Sequence, residues 1–123
     1  MRKIFFAFAL MLASPAHAGD SENKMLPACQ NWLGLGSGDT TFLRNMAAGD
    51  PYRLVSAGEC GGAVLAIADT LQRLQLICPP TELTRGQIVR VVASDLAKHP
   101  EQWQGEFSTL AAEVLEGVWP CRR

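Results

Sequence analysis

This chain has few histidines and no excess of positive charge. Its 123 residues include two histidines, and 11 Lys and Arg stand against 12 Asp and Glu, for a net charge of −1 at pH 7. A chain without a cationic excess has no electrostatic basis for binding nucleic acid or an anionic lipid surface. We therefore expect neither nucleic acid nor a membrane as a partner.

Long apolar runs are also lacking, apart from one at the N-terminus. Arg2 and Lys3 precede the run Ile4–Ala13, and Ser14-Pro15 separates that run from the small-residue site Ala16-His17-Ala18. This order is typical of a cleavable signal peptide, whereas a buried N-terminal helix would not require it. We predict that residues 1–18 form a signal peptide that is cleaved after Ala18. No later segment is apolar enough to cross a membrane.

The mature domain, residues 19–123, keeps all four cysteines. Loss of the signal peptide leaves nine basic and 12 acidic side chains, hence a net charge of −3. An even number of cysteines in a small exported chain is typical of a disulfide framework. We predict that Cys29, Cys60, Cys78 and Cys121 form two disulfides. Each bridge stabilises the fold by about 2–4 kcal/mol, mainly by restricting the unfolded chain.

Glycines and prolines divide the first half of the mature domain into short elements. We predict a helix over Pro27–Leu33, a flexible loop over Gly34–Gly38, and a short helix from Asp39 or Thr40 to Met46 that ends at Gly49-Asp50-Pro51. The glycine-rich loop superficially resembles a nucleotide-binding run. It lacks the preceding strand and the correctly spaced helix that such a motif requires.

Three longer helices follow, each with an apolar face. Two S/T-x-x-E/Q capping boxes, Ser56 with Glu59 and Thr84 with Gln87, predict helix starts, the first near Ala57. Prolines predict the ends, which fall just after Cys78, near Lys98 or His99, and before Pro120. The three predicted core faces are Val64, Ile67, Ala68, Leu71 and Leu74; Ile88, Val91, Val92 and Leu96; and Phe107, Leu110, Ala111, Val114, Leu115 and Val118. The predicted fold class is all-α, a small disulfide-stapled bundle of about four to five helices.

Helix length restricts how the cysteines can pair. Cys60 and Cys78 lie at opposite ends of one predicted helix, about 27 Å apart at a rise of 1.5 Å per residue. A disulfide requires Cα atoms within about 7 Å, so these two cannot pair. Because short connections favour antiparallel neighbours, Cys121 returns to the Cys78 end. We predict the pairs Cys78–Cys121 and Cys29–Cys60.

The residues offer little for catalysis. A hydrolytic triad needs a histidine between a nucleophile and an acid, and the mature domain has only His99, in a loop before Pro100. Oxidised cysteines supply neither thiolate nucleophiles nor metal ligands. The helical pair Glu113 and Glu116 is interpreted as a solvated face, and Asp69 as the i,i+4 ion-pair partner of Arg73. We expect no enzymatic activity, no metal site and no cofactor.

Binding to a protein is the better hypothesis. The connection from His99 to Gly105 holds His99, Glu101, Gln102 and Trp103. Trp103 has two interpretations, either a ring that folds over one end of the core or an exposed anchor for a partner. We predict these four residues as the partner-binding site, with the loop at Gly34–Gly38 as a rival.

From Cys60 to Cys121 the chain resembles the Rap/Tai family of type VI secretion immunity proteins. The matching pieces, in order, are Cys60-Gly61-Gly62, Cys78-Pro79-Pro80, Thr84 with Gln87, the valine-rich helix that ends in His99-Pro100, and Pro120-Cys121. The chain differs from the family at Ala63, where an aromatic residue is usual, and at Ala66, where glycine is common. The resemblance covers about half of the precursor.

The resemblance implies an all-helical periplasmic protein, often a homodimer, that binds a cognate toxin. The toxin is commonly a peptidoglycan amidase, and the immunity protein occludes its active site without catalysis. The alternative is a periplasmic acid-stress chaperone of the HdeA type, also small, helical and exported. Those chaperones hold one disulfide and more charge, whereas this chain has four cysteines and 19% charged residues. An unrelated periplasmic role for the same fold stays open.

Overall fold

The described part of the protein is built of helices. The computed structural model describes residues 22–36, 41, 44 and 51–122. These residues form α1 (Glu22–Gly36), α2 (Pro51–Arg73), α3 (Arg85–Lys98), a short 3-10 helix at Pro100–Gln102, and α4 (Phe107–Val118). The predicted all-α fold is confirmed. The predicted signal peptide and most of the helix predicted up to Met46 lie outside the described residues.

Helix α1 extends past the predicted helix at both ends. It includes the turn before Pro27, where Met25 and Leu26 are buried in the core. Burial of these side chains offsets the cost of Pro27, which lies inside the helix as its sixth residue. At the other end, Gly34 to Gly36 continue the helix, so the predicted loop is wrong for these residues. The Arg90 guanidinium donates a hydrogen bond to the Gly36 carbonyl at 3.1 Å and holds this end.

Helix α2 begins earlier than the capping pattern predicts. Its first residue is Pro51, a favourable residue at a helix start because its fixed φ is already helical. Ser56 therefore lies inside the helix, where its side chain is 5% exposed. A residue inside a helix cannot cap it, so the predicted capping box of Ser56 and Glu59 is wrong.

Helix α2 also ends earlier, at Arg73, and the two prolines after Cys78 do not stop it. The Leu76 N–H donates to the Leu71 carbonyl at 2.9 Å, and the Gln75 N–H to that of Gln72 at 3.0 Å. These are the two bonds of a Schellman motif. Gln75 has φ 58°, the left-handed position that glycine usually fills. Because glutamine stands there, the sequence carries no stop signal.

The second capping box is confirmed at the start of α3. The Gln87 N–H donates to Thr84 Oγ1 at 3.2 Å, and the Thr84 N–H donates to Gln87 Oε1 at 2.8 Å. Two donors that the helix leaves without partners are thereby satisfied. The helix ends at Lys98, as predicted, and α4 ends at Val118, two residues before Pro120.

One core joins all four helices. Its buried members are Met25, Leu26, Ala28 and Cys29 of α1; Cys60, Val64, Ala68 and Leu71 of α2; Ile88, Val89, Val92, Ala93 and Leu96 of α3; Phe107, Leu110, Ala111 and Leu115 of α4; and Ile77. Removal of these apolar surfaces from water is the main force that holds the bundle together. The core therefore includes most residues of the three predicted apolar faces.

Five predicted core positions are less buried than expected, among them Ile67, which is half-buried. Leu74 follows the end of α2 and is 63% exposed, and Val118 is 48% exposed. Val91 and Val114 are half-buried, and Val89 takes the buried position next to Val92. The predictions for Leu74 and Val118 are wrong. Three of these five residues, Val91, Val114 and Val118, line one open groove.

Both predicted disulfides are confirmed. Cys29 and Cys60 join α1 to the middle of α2, with Cα atoms 5.1 Å apart and both residues fully buried. Cys78 and Cys121 join the segment after α2 to the segment after α4, with Cα atoms 4.8 Å apart. The Cys78 N–H also donates to the Trp119 carbonyl at 2.8 Å. The two bridges thus fix both ends of the stretch that resembles the family.

The predicted ion pair of Asp69 with Arg73 is replaced by a different one. Asp69 pairs with Arg85, at the start of α3, with Nη2 and Oδ2 3.1 Å apart. Both side chains are largely exposed, so the pair contributes less than about 1 kcal/mol. It nevertheless ties the outer surfaces of α2 and α3 together.

Candidate binding surface

The four residues predicted to contact a partner lie where α3 ends. His99 caps α3, Glu101 and Gln102 belong to the 3-10 helix, and Trp103 terminates that helix. Glu101 and Gln102 are exposed, whereas His99 and Trp103 are half-buried. The stretch therefore presents two polar side chains outward and uses its two rings against the protein.

Trp103 closes the C-terminal end of α3. Its indole Nε1 donates to the Leu96 carbonyl at 2.9 Å, and its ring packs against the core. The Leu96 carbonyl also accepts the backbone N–H of His99 at 3.3 Å, so the indole adds a second donor at this helix end. Of the two interpretations of Trp103, the structure shows the packing role. Only the exposed part of the ring is left for a partner.

His99 is held against α3 by Asp95. Its Nδ1 lies 3.0 Å from the Asp95 carbonyl oxygen and 3.2 Å from the carboxylate Oδ2. Both contacts orient the imidazole and the carboxylate, and the carboxylate in turn lines a neighbouring groove. His99 therefore acts as a positioning residue at the edge of that groove.

An open groove runs between α3 and α4 and reaches the 3-10 helix. Two depressions, with volumes of about 490 and 290 Å³, share Asp95, Val114 and Val118 and so form one groove. Its apolar members are Leu83, Val91, Leu110, Val114 and Val118. Gln102 lines the second depression, so the exposed 3-10 helix and the groove form one continuous surface.

The two depressions of this groove differ in charge. The first is lined by Arg90 and Lys98 together with Asp95, whereas the second is lined by Asp95 and Glu113. Arg90 is partly engaged by the Gly36 carbonyl. Within the part of the chain that the structure describes, Lys98 forms no ion pair. The first depression therefore carries a net positive charge and the second a net negative charge.

A separate depression, of about 500 Å³, lies outside this groove, between the end of α1 and the start of α3. It is lined by Trp32, Leu35, Gly36, Thr84, Gly86, Gln87 and Arg90. Gln87 and Arg90 also line the groove between α3 and α4, so both features open on one side of the molecule. The glycine-rich segment that we considered as a rival site contributes Gly36 here, as part of a helix.

The described residues do not assemble a recognisable reactive centre. All four cysteines are in disulfides. Across residues 22–36, 41, 44 and 51–122, no three His, Cys, Asp or Glu residues cluster as metal ligands would. The His99 ring bonds to Asp95, and a nucleophile that completes a triad is not among its contacts in the described residues. Glu113 and Glu116 are exposed, in agreement with the predicted solvated face.

Helix α2 passes the length and hydropathy test for a membrane span. It has 23 residues and a mean hydropathy of 1.4 in its most apolar window, so the prediction that no segment after the signal peptide is apolar enough is wrong. A core helix can pass the same test. The disulfide at Cys60 and the buried Val64, Ala68 and Leu71 place one face of α2 inside the bundle.

The sequence of this stapled bundle matches the model of a known family. The family model for Rap1a immunity proteins matches residues 21–121. The chain belongs to the Rap1a immunity protein family. Neither a curated protein nor a solved structure matches it. Membership indicates an immunity role, exerted by binding a partner protein that is a toxin.

The family match extends the predicted resemblance towards the N-terminus. Before Cys60 the sequence showed no likeness to the family beyond Cys29, whereas the Rap1a match includes all of α1. It also favours immunity over the HdeA-type chaperone. In this Rap1a protein, Gly61 of the first motif has a packing role, because a Cβ there would lie 2.8 Å from Cζ3 of Trp32. Gly62 faces open space, with nothing within 4 Å of such a Cβ.

Sequence reasoning missed the groove of this Rap1a protein, although it named several of the apolar residues that line it. Val91, Val114 and Val118 stand at the right helical spacing for a core face. Spacing shows which face of a helix is apolar, but it does not show how closely two such faces approach. For the same reason, the sequence did not show that the basic residues Arg90 and Lys98 line a groove, and we had not considered them as site residues.

Proposed function

We propose that this chain is a periplasmic immunity protein that binds a cognate type VI secretion effector, a peptidoglycan amidase, and inhibits it. The family match over residues 21–121 carries the proposal. The match begins just after the signal peptide predicted at residues 1–18. Two disulfides suit an oxidising compartment such as the periplasm, where peptidoglycan is also located.

Inhibition by this chain requires binding alone. A bundle with two disulfides holds its surface in one conformation, and such preorganisation lowers the entropic cost of association. Exposed Glu101 and Gln102 project from the 3-10 helix and offer hydrogen-bonding groups to an enzyme cleft. The exposed edge of Trp103 adds apolar surface beside them, and His99 orients the turn. Occupation of the cleft by this turn would exclude substrate.

Protection of cells tests the proposed function. We would direct a candidate cognate amidase, a type VI secretion effector that cleaves peptidoglycan, to the periplasm of a test strain, with and without this chain. Lysis should occur without the chain and cease when the chain carries residues 1–18. A chain lacking residues 1–18 stays in the cytoplasm and should not protect. Equal lysis with and without the full chain would contradict the proposal.

The contribution of the turn is tested by calorimetry against the same amidase. Truncation of an anchor residue typically costs about 2 kcal/mol or more of binding free energy. We expect Glu101→Ala to keep the circular dichroism spectrum and lose affinity. Because Trp103 is bonded to the end of α3, Trp103→Ala is expected to lower the melting temperature as well. Unchanged affinity in both folded variants would show that the turn does not contribute to binding the amidase.

A homodimer is a further part of the proposal. Helix α2 exposes Tyr52 and Leu54 near its start, at 72% and 56%, and a second copy would remove such side chains from water. Light scattering on the mature protein should give a mass of twice the chain. Leu54→Glu should shift the mass towards the monomer, and a monomeric mass for the unaltered protein at all concentrations would contradict self-association.

A further inference from the structure

The groove between α3 and α4 exposes residues whose pattern belongs to a core. Val114 and Val118 belong to the same apolar stripe of α4 as the buried Leu110, Ala111 and Leu115. Val118 is nevertheless 48% exposed, and Val114 is half-buried. Since nothing in the described chain covers this end of the stripe, apolar surface stays in contact with water. A partner that covers it would gain hydrophobic free energy.

We propose that this groove is the docking site for one segment of the amidase, which carries apolar side chains for the valines and a carboxylate for Lys98. The inference rests on the proposed function and names the contact surface within it. The groove extends the predicted site from the turn at residues 99–103 to the surface between two helices.

Charge complementarity determines the chemistry of the bound segment. Arg90 and Lys98 line only the first depression, and Glu113 lines only the second. A carboxylate on the segment is attracted to the first depression, where two cations outnumber Asp95, and repelled from the second, where Asp95 and Glu113 are both negative. The acidic residue of the segment is therefore expected near Lys98, with apolar residues over Val114 and Val118, which line both depressions.

The size of a stable interface supports a surface larger than the turn alone. Specific protein interfaces bury about 800 Å² per partner. A 3-10 helix of three residues with one half-buried tryptophan supplies only part of that area. Gln102 lines the second depression, so the groove adds contact area without a gap. The turn would block the active site of the amidase while the groove holds a neighbouring segment.

A steric block tests the groove with little effect on the fold. Gly117 lines the second depression, and a Cβ built on it meets nothing within 4 Å. Gly117→Gln should therefore place a side chain in the groove and leave the bundle intact. Gly62→Gln is the matched control, because Gly62 on α2 also faces open space and lies outside the groove. Melting curves verify that both variants fold.

A charge reversal tests the proposed polarity. Lys98→Glu alters the basic residue in the last turn of α3, inside the groove. Arg73→Glu is the control, since Arg73 is the basic residue in the last turn of α2, outside the groove. Each substitution places a negative charge near the negative end of a helix dipole, so both variants should lose a similar amount of stability. Any difference in binding then reflects the groove.

The readout is the dissociation constant for the amidase used in the protection experiment, together with association rates at several salt concentrations. Gly117→Gln should weaken binding about tenfold or more, and Gly62→Gln less than about twofold. Lys98→Glu should slow association about tenfold at low salt and flatten its salt dependence, whereas Arg73→Glu should not.

Two results would overturn the inference in distinguishable ways. If the unaltered protein binds the amidase and the groove variants match their controls within about twofold, the groove is not the docking site and the proposed function stands. If the unaltered protein does not bind the amidase, the proposed function fails and the inference fails with it.

Discussion

The contact between α1 and α2 is closed, whereas the contact between α3 and α4 is open. Trp32 of α1 lies over Gly61 of α2, and the buried Cys29–Cys60 disulfide links the same two helices. Between α3 and α4, by contrast, Val114 and Val118 line a groove that reaches the surface. Both contacts are built from apolar helix faces, so hydrophobic pattern alone does not distinguish them.

We interpret the closed contact as the one that stabilises the fold and the open contact as the one that binds a partner. At the closed contact, glycine allows the indole ring to approach α2, and a covalent bridge fixes the approach. At the open contact, the apolar residues of α3 and α4 are only partly covered, and their remaining surface is available to a partner. Changes at the closed contact should therefore reduce stability, and changes at the open contact should mainly reduce affinity for the amidase.

The largest expected effect is the loss of the buried bridge. Removal of the Cys29–Cys60 bridge opens a crosslink across 31 residues, for which the chain-entropy model gives about 4 kcal/mol. Cys29→Ala with Cys60→Ala also leaves space in the core, so we expect a larger drop in melting temperature than for Cys78→Ala with Cys121→Ala. Thermal denaturation followed by circular dichroism measures both. A smaller drop in melting temperature on loss of the Cys29–Cys60 bridge would mean that the closed contact does not stabilise the fold more than the Cys78–Cys121 bridge does.

Two adjacent valines on α3 give the next largest contrast. Val92 is fully buried, whereas Val91 is half-buried and lines the groove. Val92→Ala should lower the free energy of unfolding by about 2 kcal/mol, and Val91→Ala by less than about 1 kcal/mol. Urea titration measures the two values. Equal losses would indicate that the groove closes in solution and that the comparison is wrong.

Two adjacent glycines on α2 are expected to respond with opposite signs. Alanine favours a helix over glycine by up to about 1 kcal/mol, so Gly62→Ala, which meets open space, should raise stability. At Gly61, a Cβ would lie 2.8 Å from Trp32, so Gly61→Ala forces the ring to shift and should lower stability by about 1 kcal/mol. Stabilisation by both changes would show that Trp32 moves aside without cost.

Local chemistry made part of the fold predictable. Thr84 and Gln87 lie close in sequence, and their capping box needs no tertiary partner to form. The disulfide pairs followed from the length of a helix and the reach of a bridge. Ser56 and Glu59 carry the same box pattern, but a favourable helix start at Pro51 placed them inside α2.

The remaining features depend on the fold. Gln75 ends α2 in a conformation that glycine usually adopts, and residue preference does not reveal it. Asp69 meets Arg85, 16 residues away, although the i,i+4 rule favoured Arg73. The predicted site residues Glu101 and Gln102 were placed by their polarity in a loop. The groove beside them depends on the distance between two helices, which no local pattern encodes.

The most direct measurement is a titration of amidase activity on purified peptidoglycan with the mature protein. The account predicts that activity falls in proportion to added protein and disappears near one chain per amidase, or one dimer per two. Protein with Gly117→Gln should need a clear excess for the same inhibition, and protein with Gly62→Gln should not. Full amidase activity in the presence of about a tenfold excess of the unaltered, folded protein would contradict the account, since a cognate inhibitor should bind far below such concentrations.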